Sequence, residues 1–221
     1  MQDPSSPVTP PQHNKSVVII VAHPDDETLW AGGTILSHPD WHCFVISLCR
    51  ANDPDRAPRF FNALGTLGAT GVIADLDDGP EQLPLSGMEV AALILQLLPD
   101  TPADLIITHN PSGEYTRHRR HEEVSEAVIS LWYSGGITTD ELWTFAYHDG
   151  QKKHLPIAAT NAGIYLPLPE HIWQQKYNII TNIYGFDSSS WEARTTPITE
   201  AFWQFYTAKD AKAWLHQKGV L

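Results

Sequence analysis

The sequence predicts a single α/β domain: a Rossmann-like, mostly parallel sheet with helices on both faces. Three observations lead there. Short apolar runs alternate with helix-like runs over the first 150 residues, the pattern of βαβ units. The first run, Val17 to Val21, is short and β-branched, as a buried strand should be. Polar clusters follow each of the first five such runs. In a parallel sheet all five then lie at one end, outside the carboxyl ends of the strands, where open α/β sheets bind their ligands.

In chain order, residues 1–14 read as a flexible arm and 15–221 as the domain. Strand one is Val17 to Val21. Pro24 suits the start of the next helix, where its missing N–H is no loss, and Trp30, Ile35 and Leu36 supply apolar positions. Gly32 and Gly33 allow that helix a close approach to the sheet. Cys43 to Leu48 is strand two. Phe60 to Leu67 is a helix ended by Gly68. Val72 to Leu76 is strand three, with Asp77-Asp78-Gly79-Pro80 as its turn. Met88 to Leu98 is helical and Leu105 to Thr108 is strand four. A long polar loop, His109 to Arg120, precedes a helix over Glu122 to Trp132, and Leu142 to Tyr147 is strand five. In the tail, Ile164 to Leu168 reads as a late strand. His171 to Tyr184 and Ile198 to Leu215 read as helices that cover the core.

Composition narrows the function classes. At 221 residues, with 42% hydrophobic and 18% charged residues, the chain can bury a sizeable core. Its net charge of -12, from 14 Lys+Arg against 26 Asp+Glu, argues against nucleic acid and anionic membranes as main partners. No apolar stretch approaches the roughly 20 residues of a membrane span. Met1 to Gln12 is Pro/Ser-rich without the charged-then-apolar order of a secretory signal. Cys43 and Cys49 sit on one expected strand, about 20 Å apart if extended, too far to bond. A reducing, cytoplasmic compartment is the expectation; oligomeric state is left open.

The chemistry concentrates in Ala22-His23-Pro24-Asp25-Asp26-Glu27, at the handover from strand one to helix one. His23 and Asp26 are three residues apart, so on a turn opening into a helix both face one point. A second pair, His118 and His121, has the same spacing before a later helix. One histidine from it completes a His₂Asp site, the N/O donor set of a catalytic zinc that keeps a position for water. Asp25, beside a ligand but not needed as one, suits the general base, because bound zinc brings its water to a pKa of about 7. The remaining histidine suits a developing oxyanion or the leaving amine. Singly these signals are weak: a loop histidine is ordinarily solvated, and Asp25-Asp26-Glu27 alone suits the dipole of a helix start. Their conjunction at one sheet edge carries the metal reading. His148, Asp149, Trp143 and Tyr184 are candidates to line the cleft.

These residues carry a resemblance. Ala22 to Glu27 resembles the signature of the LmbE-like / PIG-L metal-dependent N-deacetylases. Gly113 to His121, led into by Thr108-His109-Asn110-Pro111, resembles the family's second motif, a Gly-containing loop ending in HxxH. The likeness covers roughly the first 150 residues. It implies His23, Asp26 and His121 as metal ligands, Asp25 as general base and His118 as the histidine that stabilises the tetrahedral intermediate. It also implies Arg56 and Asp78 as substrate-binding residues, Zn2+ (or another divalent ion such as Fe2+) as cofactor, and a small N-acetylated sugar of the N-acetylglucosamine type as substrate. Arg119-Arg120 stands inside HxxH where the family usually has Pro-Asp, Glu122 where Arg is common, and Arg59 near the place of a usual glutamate. Two arginines there suit either an acidic substrate group or Glu122 and Glu123. The alternatives are a metal-dependent hydrolase of another amide or a phosphoester, and a catalytically silent sugar-binding homologue. A nucleotide-binding sheet is disfavoured, because His-Pro-Asp replaces the glycines that let a pyrophosphate approach.

Overall fold

The computed structural model describes residues 14–114, 117–148, 150 and 153–218. Of the expected arm only Asn14 is among them; Asp149 lies outside them.

The chain alternates strand and helix as far as the fifth strand: β1 (Ser16–Val21), α1 (Asp26–Ser37), β2 (His42–Ser47), α2 (Arg56–Leu67), β3 (Thr70–Ile73), α3 (Gly87–Leu97), β4 (Ala103–Thr108), α4 (Arg119–Ser134) and β5 (Thr139–Phe145). A two-stranded ribbon follows, β6 (Tyr147–His148) with β7 (Ile157–Ala158). The tail holds β8 (Ile164–Pro167), α5 (Glu170–Asn178) running into a π-helical turn at Ile179–Ile183, α6 (Trp191–Thr195), β9 (Thr199–Phe205) and α7 (Ala208–Lys218). The main sheet has the order β3-β2-β1-β4-β5-β9-β8. Its first five strands are parallel, and β9 and β8 run antiparallel to their neighbours.

β1 is the middle of the five parallel strands, and its side chains alternate between two cores. Val17, Ile19 and Val21 meet Trp30 of α1 and Phe60 and Leu64 of α2. Val18 and Ile20 meet Val90 and Ile94 of α3 and Val124 and Val128 of α4. Each fully buried side chain of this size contributes about 1.5–3 kcal/mol. The helix after β1 thus covers one face and the helix after β4 covers the other. The adjacent β1 and β4 open a crevice at their carboxyl ends, the switch point of a doubly wound sheet.

The structure corrects two expectations. The last helix expected over Ile198 to Leu215 is instead β9 followed by α7. Phe202 and Phe205 suggest helical spacing, but this stretch sits between β5 and β8 and pairs with both. Phe202 then enters one core and Phe205 the other. Cys49 lies past the end of β2 rather than on it. The two free cysteines are buried in opposite cores, Cys43 on one face and Cys49 on the other.

The tail also locks α1 in place. Lys176 of α5 and Glu200 of β9 form a fully buried ion pair at 2.7 Å. Glu200 accepts further bonds from the backbone N–H groups of Gly33 and Thr34, both at 2.7 Å, and from the Thr34 hydroxyl at 2.6 Å. The absent side chain at Gly33 is what admits Leu168 and Glu200, which a Cβ there would strike.

Candidate metal centre

β1 delivers the first half of the site. The Ala22 N–H donates to His109 Nε2 at 2.9 Å, tying the end of β1 to the end of β4. The chain then turns through His23-Pro24-Asp25, and Asp26 opens α1. Asp25 has φ 117°, a region that non-glycine residues rarely occupy and that costs about 1–3 kcal/mol. Local bonds hold it there. Its N–H donates to Glu27 Oε2 at 3.0 Å, and its carboxylate accepts from Arg56 at 3.1 Å. Glu27 is itself fully buried and accepts from the Tyr184 hydroxyl at 2.7 Å. Tyr184 is thus a buried prop beneath the site, Trp143 is buried in the core, and His148 is exposed.

β4 and α4 deliver the second half. His118 precedes α4, and His121 lies in its first turn. Three donor atoms converge. His23 Nδ1 is 3.1 Å from His121 Nε2 and 3.2 Å from Asp26 Oδ2, and His121 Nε2 is 3.4 Å from Asp26 Oδ2. Atoms held about 2.0–2.2 Å from one tetrahedral cation stand about 3.3–3.6 Å apart, so this trio fits a divalent ion of zinc-like donor preference. His109 also lies near Asp26 and His121, but its Nε2 already accepts from Ala22 and its Nδ1 faces Glu114. It has no lone pair left for an ion.

Outer partners orient the donors. Glu114, fully buried, faces His121 Nδ1 at 2.7 Å and His109 Nδ1 at 3.1 Å. A proton on His121 Nδ1 leaves the Nε2 lone pair for the ion. Asp78 faces His23 Nε2 at 3.3 Å and accepts from Arg50 at 2.6 Å, which fixes the imidazole from its far side.

The two groups left over have distinct electrostatics. Burial, and then the Asp26 charge beside it, pushes the Asp25 carboxyl up to about 8 against the pull of Arg56. Burial, reinforced by His121 and His23, holds His118 down at about 4. Its ring lies 4.8 Å from that of His23 and 4.7 Å from that of His121, and its buried Nδ1 has no hydrogen-bond partner among the described residues.

All seven sequence-predicted residues, His23, Asp25, Asp26, Arg56, Asp78, His118 and His121, line one open pocket of about 220 Å³. Arg56 stacks on Phe186 at 4.4 Å as it reaches Asp25. Arg120 is buried and donates to Glu123 and to the Asp77 and Leu83 carbonyls, bracing the loop after β3 instead of facing a substrate. Arg119 is exposed.

Four residues were missed. Glu114 sits seven places before His121, a carboxylate inside the motif loop that was available as a signal. Arg50 follows strand two and had no signal beyond its place. Trp191 and Glu192 come from the tail and reach the pocket only through tertiary structure.

Comparison with known proteins gives the family and the fold. Residues 18–132 match the family model described as PIG-L: GlcNAc-PI de-N-acetylase. An uncharacterized protein of Acanthamoeba polyphaga mimivirus is 24% identical over 150 residues, covering 62% of this chain; the match spans 64% of that relative's length. Among solved structures, the fold resembles an N,N'-diacetylchitobiose deacetylase from Pyrococcus horikoshii, with TM-score 0.66, 16% identity and coverage of 87% of this chain and 84% of that one. It also resembles a 4-carboxy-2-hydroxymuconate hydratase from Pseudomonas putida, with TM-score 0.56, 18% identity and coverage of 82% and 83%. The family model spans more than half of the sequence and contains every donor and catalytic candidate; the chain belongs to the PIG-L family.

Proposed function

We propose that the protein is a metal-dependent hydrolase that removes the N-acetyl group from an N-acetylglucosamine-type amino sugar or its conjugate. The observation that carries this is the convergence of His23, Asp26 and His121 donor atoms at 3.1–3.4 Å, with Asp25 and His118 lining the same pocket. Family membership and the deacetylase among its structural neighbours support the same reading.

His23, Asp26 and His121 would hold the ion, zinc by donor chemistry, which when bound acidifies water and polarises an amide carbonyl. Asp25, fixed by Glu27 and Arg56, accepts the proton of the attacking water, and the charge of an ion held beside it would favour its ionised form. His118, neutral at pH 7, offers one N–H to the oxyanion that develops on the carbonyl oxygen. Arg56 keeps the Asp25 carboxylate turned toward the pocket. Return of a proton to the sugar nitrogen breaks the C–N bond and releases acetate and a free amine.

The test combines metal analysis of the purified chain with a panel of N-acetylated sugars, read by acetate release and amine detection. One bound divalent ion per chain and stoichiometric acetate and amine are expected. Phosphate release from phosphoesters, with no acetate from any N-acetyl sugar, would overturn the proposal.

A further inference from the structure

The pocket's fixed charges say which sugars it takes. Apart from histidines, its cations are Arg50 and Arg56. Both are spent. Arg50 donates twice to Asp78, at 2.6 and 3.1 Å, and Arg56 donates to Asp25 at 3.1 Å. Arg119 and Arg120, inside the HxxH motif, do not line the pocket. The opposite wall comes from the tail, as Trp191 and Glu192 at the start of α6. Glu192 is half-buried, and its carboxylate has no hydrogen bond or ion pair among the described residues. The pocket therefore presents one carboxylate that faces no cation among the described residues, while each of its two guanidiniums faces a carboxylate.

We infer that Glu192 makes this site select uncharged N-acetyl saccharides and reject sugars that carry a phosphate or phosphodiester near the N-acetylated ring. The inference rests on the deacetylase reading above and adds a substrate class to it. A phosphate binds best to free cationic donors, typically a bidentate guanidinium; here both guanidiniums already face carboxylates and it meets a like charge on the opposite wall. A carboxylate instead accepts from neighbouring sugar hydroxyls, and the Trp191 indole beside it supplies an amphipathic surface for a sugar ring. Rejection by an unpaired like charge is a common route to specificity.

The experiment compares the full-length wild type, Glu192→Gln and Glu192→Lys, each loaded with zinc. The probes are methyl N-acetyl-β-glucosaminide and N-acetylglucosamine 6-phosphate. Acetate release gives kcat/KM for each sugar, and the ligand-induced shift in Tm gives binding without turnover. Any attraction of the metal for phosphate is common to all three proteins, so the change in the neutral-to-phosphorylated ratio isolates residue 192. The ratio should favour the neutral sugar in the wild type, fall by about threefold or more in Glu192→Gln, and reverse in Glu192→Lys. Acetate release from both sugars with a ratio unchanged across the three proteins would leave the deacetylase reading standing and overturn this one. No acetate from either sugar, but a Tm ranking that Glu192→Lys reverses, would do the opposite. Neither hydrolysis nor binding would overturn both. Because Glu192→Gln keeps the side chain's size at a half-exposed position, a folding failure of the lysine variant still leaves the comparison decisive.

Discussion

Glu114 grips His121 through its Nδ1 at 2.7 Å, with a carboxylate that solvent does not reach. The same carboxylate faces His109 Nδ1 at 3.1 Å, so one side chain orients two imidazoles. Glu114→Ala should weaken zinc binding by about 10–100-fold, the usual loss when an outer partner of a ligating histidine is removed. Competition with a chromophoric chelator measures it. An affinity within about threefold of the wild type would mean that Glu114 serves only the fold.

Asp25 is held by Glu27 and Arg56 and is not required to complete the three-donor set. Asp25→Asn should retain stoichiometric metal and lower kcat by about 10²–10⁴. Acetate release at the wild-type rate would remove Asp25 from the role of base.

Lys176 and Glu200 have no water to fall back on. Lys176→Met strands a buried carboxylate and should cost about 3–5 kcal/mol of stability in urea unfolding. Glu200→Gln should cost a similar amount, because Lys176 loses its counter-charge and the amide NH2 must face one of the α1 donors that both carboxylate oxygens now accept from. A wild-type midpoint for Lys176→Met would show that the pair is not balanced as its geometry implies.

The cysteines give a pH test. Burial pushes the Cys43 thiol up to about 12, and Cys49 upward as well. A raised folded value favours the native state at full strength below the unfolded value of about 8.5. That advantage is lost as pH rises from there through about 12. Both thiols should therefore resist a chromogenic disulfide reagent at pH 8 in the native protein, and two per chain should react after denaturation. Rapid native labelling at pH 8 would show that one of them is reachable.

The parallel half of the fold was legible because β1 to β5 are short apolar runs whose polar successors mark the carboxyl ends. His23, Asp25 and Asp26 could be read from four adjacent residues, and His118 with His121 from a three-residue gap. What escaped depends on pairing across long separations. The Ile198 to Phe205 stretch carries aromatic residues compatible with either period, and only its place between β5 and β8 makes it a strand. Glu192 has no local signature, because its importance comes from which wall α6 happens to form. Arg120 took the second of its two expected partners: it pairs with Glu123, and its side chain turns into the loop after β3.

The reversal of direction at β9 has a practical result for fragments. A piece ending after β5 would display a seven-residue strand, Thr139 to Phe145, with one whole row of amides and carbonyls bare. Such an edge recruits strands from other molecules. Cutting the chain where the most recognisable half stops should therefore yield insoluble material, even though His23, Asp26 and His121 would all still be aboard.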